Sequence, residues 1–368
     1  MTVRYRLENV VRSYRESATG QRVEALRAPE LEVRAGEILA VVGSNGSGKS
    51  TLVETMAFLH RPESGRLLLD GVDVWATGRT LAARRRCPVL LQRAVLLRAN
   101  VLENVMYGLR LRGVGPAEAR GRAERALEQV RLSTRALRGH RELSGGERQR
   151  VALARLLALD ADVMLLDEPT AHVDEANERL IEEVIRTAHA GTSTTIIVAT
   201  NNLAQASRLA SRAVTLVAGH LFEGLSLNHF NGKTVLQDGR VTVELDGGGV
   251  LEFPLSAVAP ADRDWIANGP VFTAVAIDGS RIRLGTASQP RGRIQAARRS
   301  SERCDLSLDI GGSQVLHASL PFDDYVRLGF NVGMTVSLQF EEGAVRLWPL
   351  GPCVDAASAT HGARRGLS

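Results

Sequence analysis

Residues 43–51 read Gly43-Ser44-Asn45-Gly46-Ser47-Gly48-Lys49-Ser50-Thr51, a G-x-x-x-x-G-K-[ST] run set between the apolar stretch EILAVV (37–42) and the helix-forming stretch STLVETMAFLH (50–60). Strand, glycine-rich turn and helix in that order are the context in which this spacing grips a nucleotide phosphate. The glycines let the backbone turn so tightly that successive N–H groups point inward, and the helix presents its positive N-terminal end to the same anion. Lys49 then reaches the β- and γ-phosphates and Ser50 places its hydroxyl on Mg²⁺. ATP and Mg²⁺ are the cofactors this reading implies.

Working outward, short β-branched runs at Ile38–Val42, Val163–Leu166 and Thr195–Ala199 alternate with longer helical stretches over the first ~220 residues, which predicts a parallel sheet wrapped by helices, an α/β domain. The run VMLL (163–166) ends in Asp167-Glu168-Pro169. A carboxylate at the carboxyl end of a central strand faces the ligand crevice, so Asp167 is placed to hold the magnesium shell. Glu168, one residue on, is placed to polarise an attacking water as general base.

Composition narrows the partners. The net charge is +5, yet Lys49 and Lys233 are the only lysines among 46 basic residues. A lysine at position 49 of an arginine-writing chain suits a site that needs a compact ammonium. The arginines are interspersed with acids, so no nucleic-acid partner is expected. Cys87, Cys304 and Cys353 lie far apart with no CxxC pair, which predicts reduced thiols and no zinc site. No apolar run reaches the ~18 residues that span a bilayer, and MTVRYRLENV at the start lacks a leader's apolar core, so any membrane passage is expected in other chains.

The stretch LSGGERQRVALARLL (143–157) singles out one class of ATPase. Ser144, Gly145 and Gly146 open an amphipathic helix whose free N–H groups suit a γ-phosphate. Leu143, Ser144, Gly145, Gly146 and Glu147 match the signature of the ABC transporter ATPase family, which the chain resembles. The resemblance implies a head-to-tail pair of ATPases, with ATP between the Gly43–Thr51 turn of one and the signature of the other. It also implies that Tyr14 stacks on adenine, that Gln92 senses γ-phosphate and Mg²⁺, and that Asp174 in AHVD belongs to the loop joining the two sites. At the position where the family carries a histidine that contacts the γ-phosphate, this chain has Asn201. Its amide can donate a hydrogen bond but cannot become a cation, so hydrolysis is expected to slow while binding persists. His172 is read as an interface or surface residue.

From about 225 the texture changes to short alternating strands punctuated by glycine, such as GRVTVEL and CDLSLDIGG, which predicts a small OB-like β-barrel. Asn228-x-Phe230-x-Gly232-Lys233 and Ser288-x-Pro290-x-Gly292-Arg293 open two similar units, and SRIRLG (280–285) and AVRLWP (344–349) close them. The expected organisation is an ATPase domain at 1–224, a doubled barrel at 225–352 with repeats 225–286 and 287–350, and a disordered tail at 353–368.

This second region resembles the accessory barrel of oxyanion importers of the tungstate or molybdate type, whose ATPase domain also carries a stretch similar to NLAQA (202–206). That likeness implies an oxyanion in the barrel, although Lys233 itself reads best as a surface residue. It implies transmembrane permease subunits meeting residues 98–113, an extracytoplasmic solute-binding protein acting indirectly, and a station at the cytoplasmic face of the plasma membrane. A hydrolysis-poor regulatory subunit and an importer of another solute (sulfate, sugar, polyamine) stay open. A soluble non-transport ABC ATPase is disfavoured, since neither a coiled-coil insertion nor a second cassette is present.

Overall fold

The computed structural model describes residues 2–15, 22–171, 173–192, 194–223, 228–266, 271–285, 291–300, 302–312 and 314–349. His172, Ser288, Pro290 and the tail at 353–368 lie outside them. The chain divides into two compact units, Met1–Leu225 and Ser226–Ser368.

The first unit is built on a ten-stranded sheet. Its order is β5 (Val72–Asp73), β4 (Ser64–Leu69), β1 (Val3–Arg15), β2 (Arg22–Arg34), β10 (His220–Glu223), β9 (Arg212–Val217), β3 (Ile38–Val42), β8 (Thr195–Thr200), β7 (Val163–Asp167) and β6 (Val89–Leu90). The last five of these run parallel to one another. Strands β3, β7 and β8 are buried along their whole length, which is why their sequences are nearly unbroken Val, Ile and Leu. Parallel strands all finish at one edge, so the turn after β3, the carboxylates at the end of β7 and the segments after β6 and β8 are delivered to the same rim.

Two apolar cores flank this sheet. One joins β1, β2 and β3 to α1 (Lys49–Met56) through Tyr5, Leu26, Leu52 and Met56. The other packs α3 (Val101–Leu111), α4 (Pro116–Gln129) and α5 (Gly145–Ala158) together with residues of β7 and β8. In α4 the buried residues Ala119, Ala123, Ala126 and Leu127 recur at helical spacing and form one face, while the arginines and glutamates take the other. The remaining helices are α2 (Thr80–Arg86), α6 (Glu175–Ala190) and α7 (Leu203–Leu209). No helix among the described residues is long and apolar enough to cross a membrane.

The second unit runs through one succession of elements twice. The first pass is β11 (Asn228–Gln237), β12 (Arg240–Leu245), β13 (Val250–Pro254), α8 (Arg263–Ile266), β14 (Val271–Ile277) and β15 (Ile282–Gly285). The second is β16 (Arg291–Ser300), β17 (Arg303–Asp309), β18 (Val315–Pro321), α9 (Phe322–Arg327), β19 (Thr335–Phe340) and β20 (Val345–Pro349). The region read from sequence as a barrel forms two five-stranded antiparallel sheets, β13-β12-β11-β14-β20 and β15-β19-β16-β17-β18. Each pass therefore lends its last strand to the sheet of the other. A single core serves both sheets, with the Phe253 and Phe340 rings 5.5 Å apart. Buried Asn228 pins the passes together: its Nδ2 donates to Ile277 O and His317 O, and its Oδ1 accepts from His317 N.

Candidate nucleotide-binding site

The Gly43–Thr51 turn is closed on itself by Lys49, the first residue of α1. Its buried Nζ donates to Gly43 O at 2.9 Å and to Ser44 O at 3.0 Å. Glycine is obligatory at two points for a steric reason. A Cβ on Gly48 would sit 2.1 Å from Ala25 O at a φ of +103°, and one on Gly43 would sit 2.3 Å from Leu216 O. The backbones of β2 and β9 thus press on the turn from behind. At Gly46, by contrast, a Cβ would meet nothing within 4 Å, so the turn is open on its outer side. Ser44, Asn45 and Ser50 are exposed there, and Thr51 is half-buried in the first turn of α1.

Asp167 closes β7 and is 2 % exposed. Burial pushes its carboxyl above the usual range, against the lowering influence of the Ser50 hydroxyl and the Lys49 ammonium. Its Oδ1 is buried and meets no donor among the described residues. An orphaned carboxylate oxygen beside a serine hydroxyl is the all-oxygen donor set that a hard divalent cation takes, so these residues fit Mg²⁺.

Glu168 follows in the left-handed region at φ 47°, a conformation that costs a non-glycine residue about 1 kcal/mol or more. It is held there by its N–H, which donates to Ala199 O of β8 at 2.8 Å, and by its own carbonyl, which accepts from Ala171 N at 3.0 Å. Its carboxylate lies 3.4 Å from Lys49 Nζ, with both side chains buried. Asn201, just past β8, turns its Nδ2 toward Asn45 Oδ1 at 3.4 Å. The turn, Asp167, Glu168 and Asn201 therefore share one site.

Three predicted participants make no hydrogen bond or ion pair with that cluster among the described residues. Gln92 is exposed in the segment after β6. Tyr14 is 53 % exposed on β1, opposite Val23, with its ring free to stack. The signature residues form a separate feature at the start of α5. Leu143 is buried, while Ser144 and Gly145 are exposed.

The local reason that α5 begins here is a capping box. Ser144 Oγ accepts from Glu147 N at 3.2 Å, and Glu147 Oε2 accepts from Ser144 N at 2.9 Å. That N–H, with help from nearby Arg135, holds the Glu147 carboxyl below its ordinary range. Gly146 packs so closely that a Cβ would lie 2.7 Å from Asn177 Cγ. Asn177 in turn bonds Asp174, the N-cap of α6, through its backbone N–H at 2.9 Å and its Nδ2 at 2.7 Å. The Asn177 N–H and side-chain amide, both donating to it, hold the Asp174 carboxyl low. Signature and interface loop are thus joined through Asn177, a residue that motif reading passed over. Its signal was an Asp with an Asn three positions later at a helix start.

The ABC transporter family model matches residues 26–171. The phosphate import ATP-binding protein PstB 2 of Natronomonas pharaonis is 40 % identical over 209 residues, covering 54 % of this chain and 73 % of that protein. The sulfate/thiosulfate import ATP-binding protein CysA of Rhodopseudomonas palustris is 33 % identical over 305 residues, 80 % of each chain, a likeness too long to be confined to the first unit. Among solved structures, a dimeric ATP-binding cassette in a post-hydrolysis state bound to ADP and Pi superposes with a TM-score of 0.55 at 26 % identity, over 60 % of this chain and all of that one. The chain belongs to the ABC transporter ATP-binding proteins, and it is the ATP-binding motor of such a transporter, an ABC-type ATPase.

Proposed function

We propose that this protein powers import of an oxyanion, tungstate or molybdate being the cargo its sequence favours, by hydrolysing ATP at a composite site. ATP lies between the Gly43–Thr51 turn of one subunit and Leu143–Glu147 of another. The observation that carries the pairing is that Lys49, Asp167, Glu168 and Asn201 gather at one place, while Ser144 and Gly145 lie exposed beside Gly146, which packs on Asn177 and through it joins Asp174, with no hydrogen bond to that cluster among the described residues. A second subunit supplies what each half lacks.

Mg²⁺, when bound, neutralises the charge that develops on the phosphates. Ser50 and Asp167 would hold it, with Gln92 closing in from its exposed segment. In the resting site the Lys49 ammonium is shared between the turn's own carbonyls and Glu168; a γ-phosphate outcompetes both, leaving Glu168 to accept the proton of the attacking water. Asn201 donates one neutral hydrogen bond where an imidazolium would bring charge, so turnover is slow. That property keeps a regulatory, hydrolysis-poor role as the second reading.

Large apolar side chains exposed at Val95, Leu97, Tyr107 and Leu111 suit a permease contact, which would station the protein peripherally at the cytoplasmic face, with a solute-binding protein acting from beyond the permease. The names of the similar phosphate and sulfate/thiosulfate proteins support the oxyanion class. Steady-state ATPase assays of the purified chain across protein concentration test the motor. Turnover per chain should rise with concentration and vanish in Glu168→Gln; a concentration-independent rate would remove the composite site. Calorimetry of the full chain with tungstate, molybdate, sulfate and a sugar phosphate tests the anion role of the second unit, and absence of heat with all four would end it.

A further inference from the structure

Beside the catalytic residues lies a buried polar knot to which motif reading gives no role. Gln205, on α7, is fully buried. Its Nε2 donates to Thr170 Oγ1 at 2.7 Å and lies 3.5 Å from Glu182 Oε1. Glu182, on α6 and 2 % exposed, is gripped at both oxygens by Arg208 at 2.9 and 2.6 Å. A carboxylate buried this deeply needs such a paired partner, so the knot is rigid by electrostatic necessity.

The connections of the knot give it a role. Thr170 sits inside the tight turn closed by Ala171 N–H on Glu168 O, so it fixes the peptide that carries the strained Glu168. On its other side, Gln205 belongs to α7, whose N-cap, Asn202, directly follows Asn201. Asn202 Oδ1 accepts from Gln205 N, and Asn202 Nδ2 reaches Glu178. Glu178 and Glu182 project from α6, whose first residue follows Asp174. One residue therefore links the turn that carries the general base, through Thr170, to the neighbour of the switch position, through Asn202. Its Oε1 meets no donor among the described residues, so the N–H pair is the part the site uses.

We infer that Gln205 is a positioning residue for hydrolysis, holding Glu168 and Asn201 in register through Thr170. The inference rests on the reading of Glu168 as the base. Gln205→Met and Thr170→Val should each lower kcat roughly tenfold or more, since small misplacements of a catalytic group are costly. KM for ATP and binding of a fluorescent ATP analogue should stay within about twofold, and the double variant should be no slower than the worse single. Unchanged kcat in folded Gln205→Met, or losses that simply multiply in the double variant, would overturn the inference. If Gln205→Met does not fold, the half-buried Thr170→Val answers alone: retained kcat overturns, a selective kcat loss supports.

Gln205→Glu adds a readout that packing alone would not give. The new carboxyl would face Glu182, Glu178 and Arg208 as well as Thr170, and only its protonated form can donate to Thr170 Oγ1. Its activity relative to the parent should climb as pH falls, whereas a flat ratio overturns the inference. A parent chain with no turnover at all would sink the hydrolytic reading and this inference with it; turnover that Gln205→Met retains sinks the inference only.

Discussion

Lys49 and Glu168 form a buried ion pair at 3.4 Å, so the residue that should meet the γ-phosphate is already engaged with the residue that should activate water. The two charges of that pair thereby balance each other before nucleotide arrives. Lys49→Arg is the informative change in a chain that otherwise uses arginine. A planar fork cannot satisfy Gly43 O, Ser44 O and Glu168 from one point, so nucleotide affinity should fall at least about tenfold. The fluorescence of a bound ATP analogue measures this.

Asn201→His should raise turnover by about tenfold, because a protonatable ring at the switch position can add charge where Asn201 offers one amide donor. The 3.4 Å contact with Asn45 shows that a side chain at 201 already reaches the phosphate-binding turn. Steady-state rates of the two proteins decide the matter, and equal rates count against the assignment.

Asp167→Asn should stabilise the nucleotide-free protein while abolishing stabilisation by Mg-ATP. The Asp167 pKa is raised by burial, so its contribution to stability declines as pH rises through the carboxylate range; replacing it should bring about 1 to 3 kcal/mol at neutral pH by removing the buried charge. Thermal melts with and without Mg-ATP should move in opposite directions.

Glu147 offers the reverse sign. Its pKa is depressed by the Ser144 N–H, so it stabilises the start of α5 above its unfolded pKa of about 4.3, and that stabilisation is lost as pH falls through the lower folded value. Glu147→Gln should melt earlier than the parent at pH 7 and converge with it in acid.

Gly146→Ala should impair the composite site without touching the phosphate turn. The added methyl would press on Asn177 and loosen its bonds to Asp174. Affinity for ATP should hold while turnover drops by roughly tenfold, since a shift of an ångström at a positioned group suffices.

These expectations separate what motif reading reached from what it missed. Gly43–Thr51, Asp167 and Glu168 were legible because phosphate and magnesium demand fixed residue types at local spacing, next to strands whose burial dictates their own composition. Asn201 was legible as a departure from a pattern, but its partner Asn45 stands 156 positions away and needs the β3–β8 pairing to be found. Thr170 and Glu182 were not singled out, and Gln205 entered only as a letter of the NLAQA likeness with no role, since a buried polar knot is recognised by who surrounds it. The doubling of the second region was visible in repeated glycines. The exchange of strands was not, because β15 and β20 have the same alternating pattern whichever sheet they join.

That exchange governs how the second unit can come apart. A cut between β15 and β16 would separate the peptide bonds of the two passes but not the passes themselves, since each fragment would still hold an edge strand belonging to the other. The fragments would stay clasped like links of a chain. Neither pass completes a sheet from its own strands, and both draw on one core.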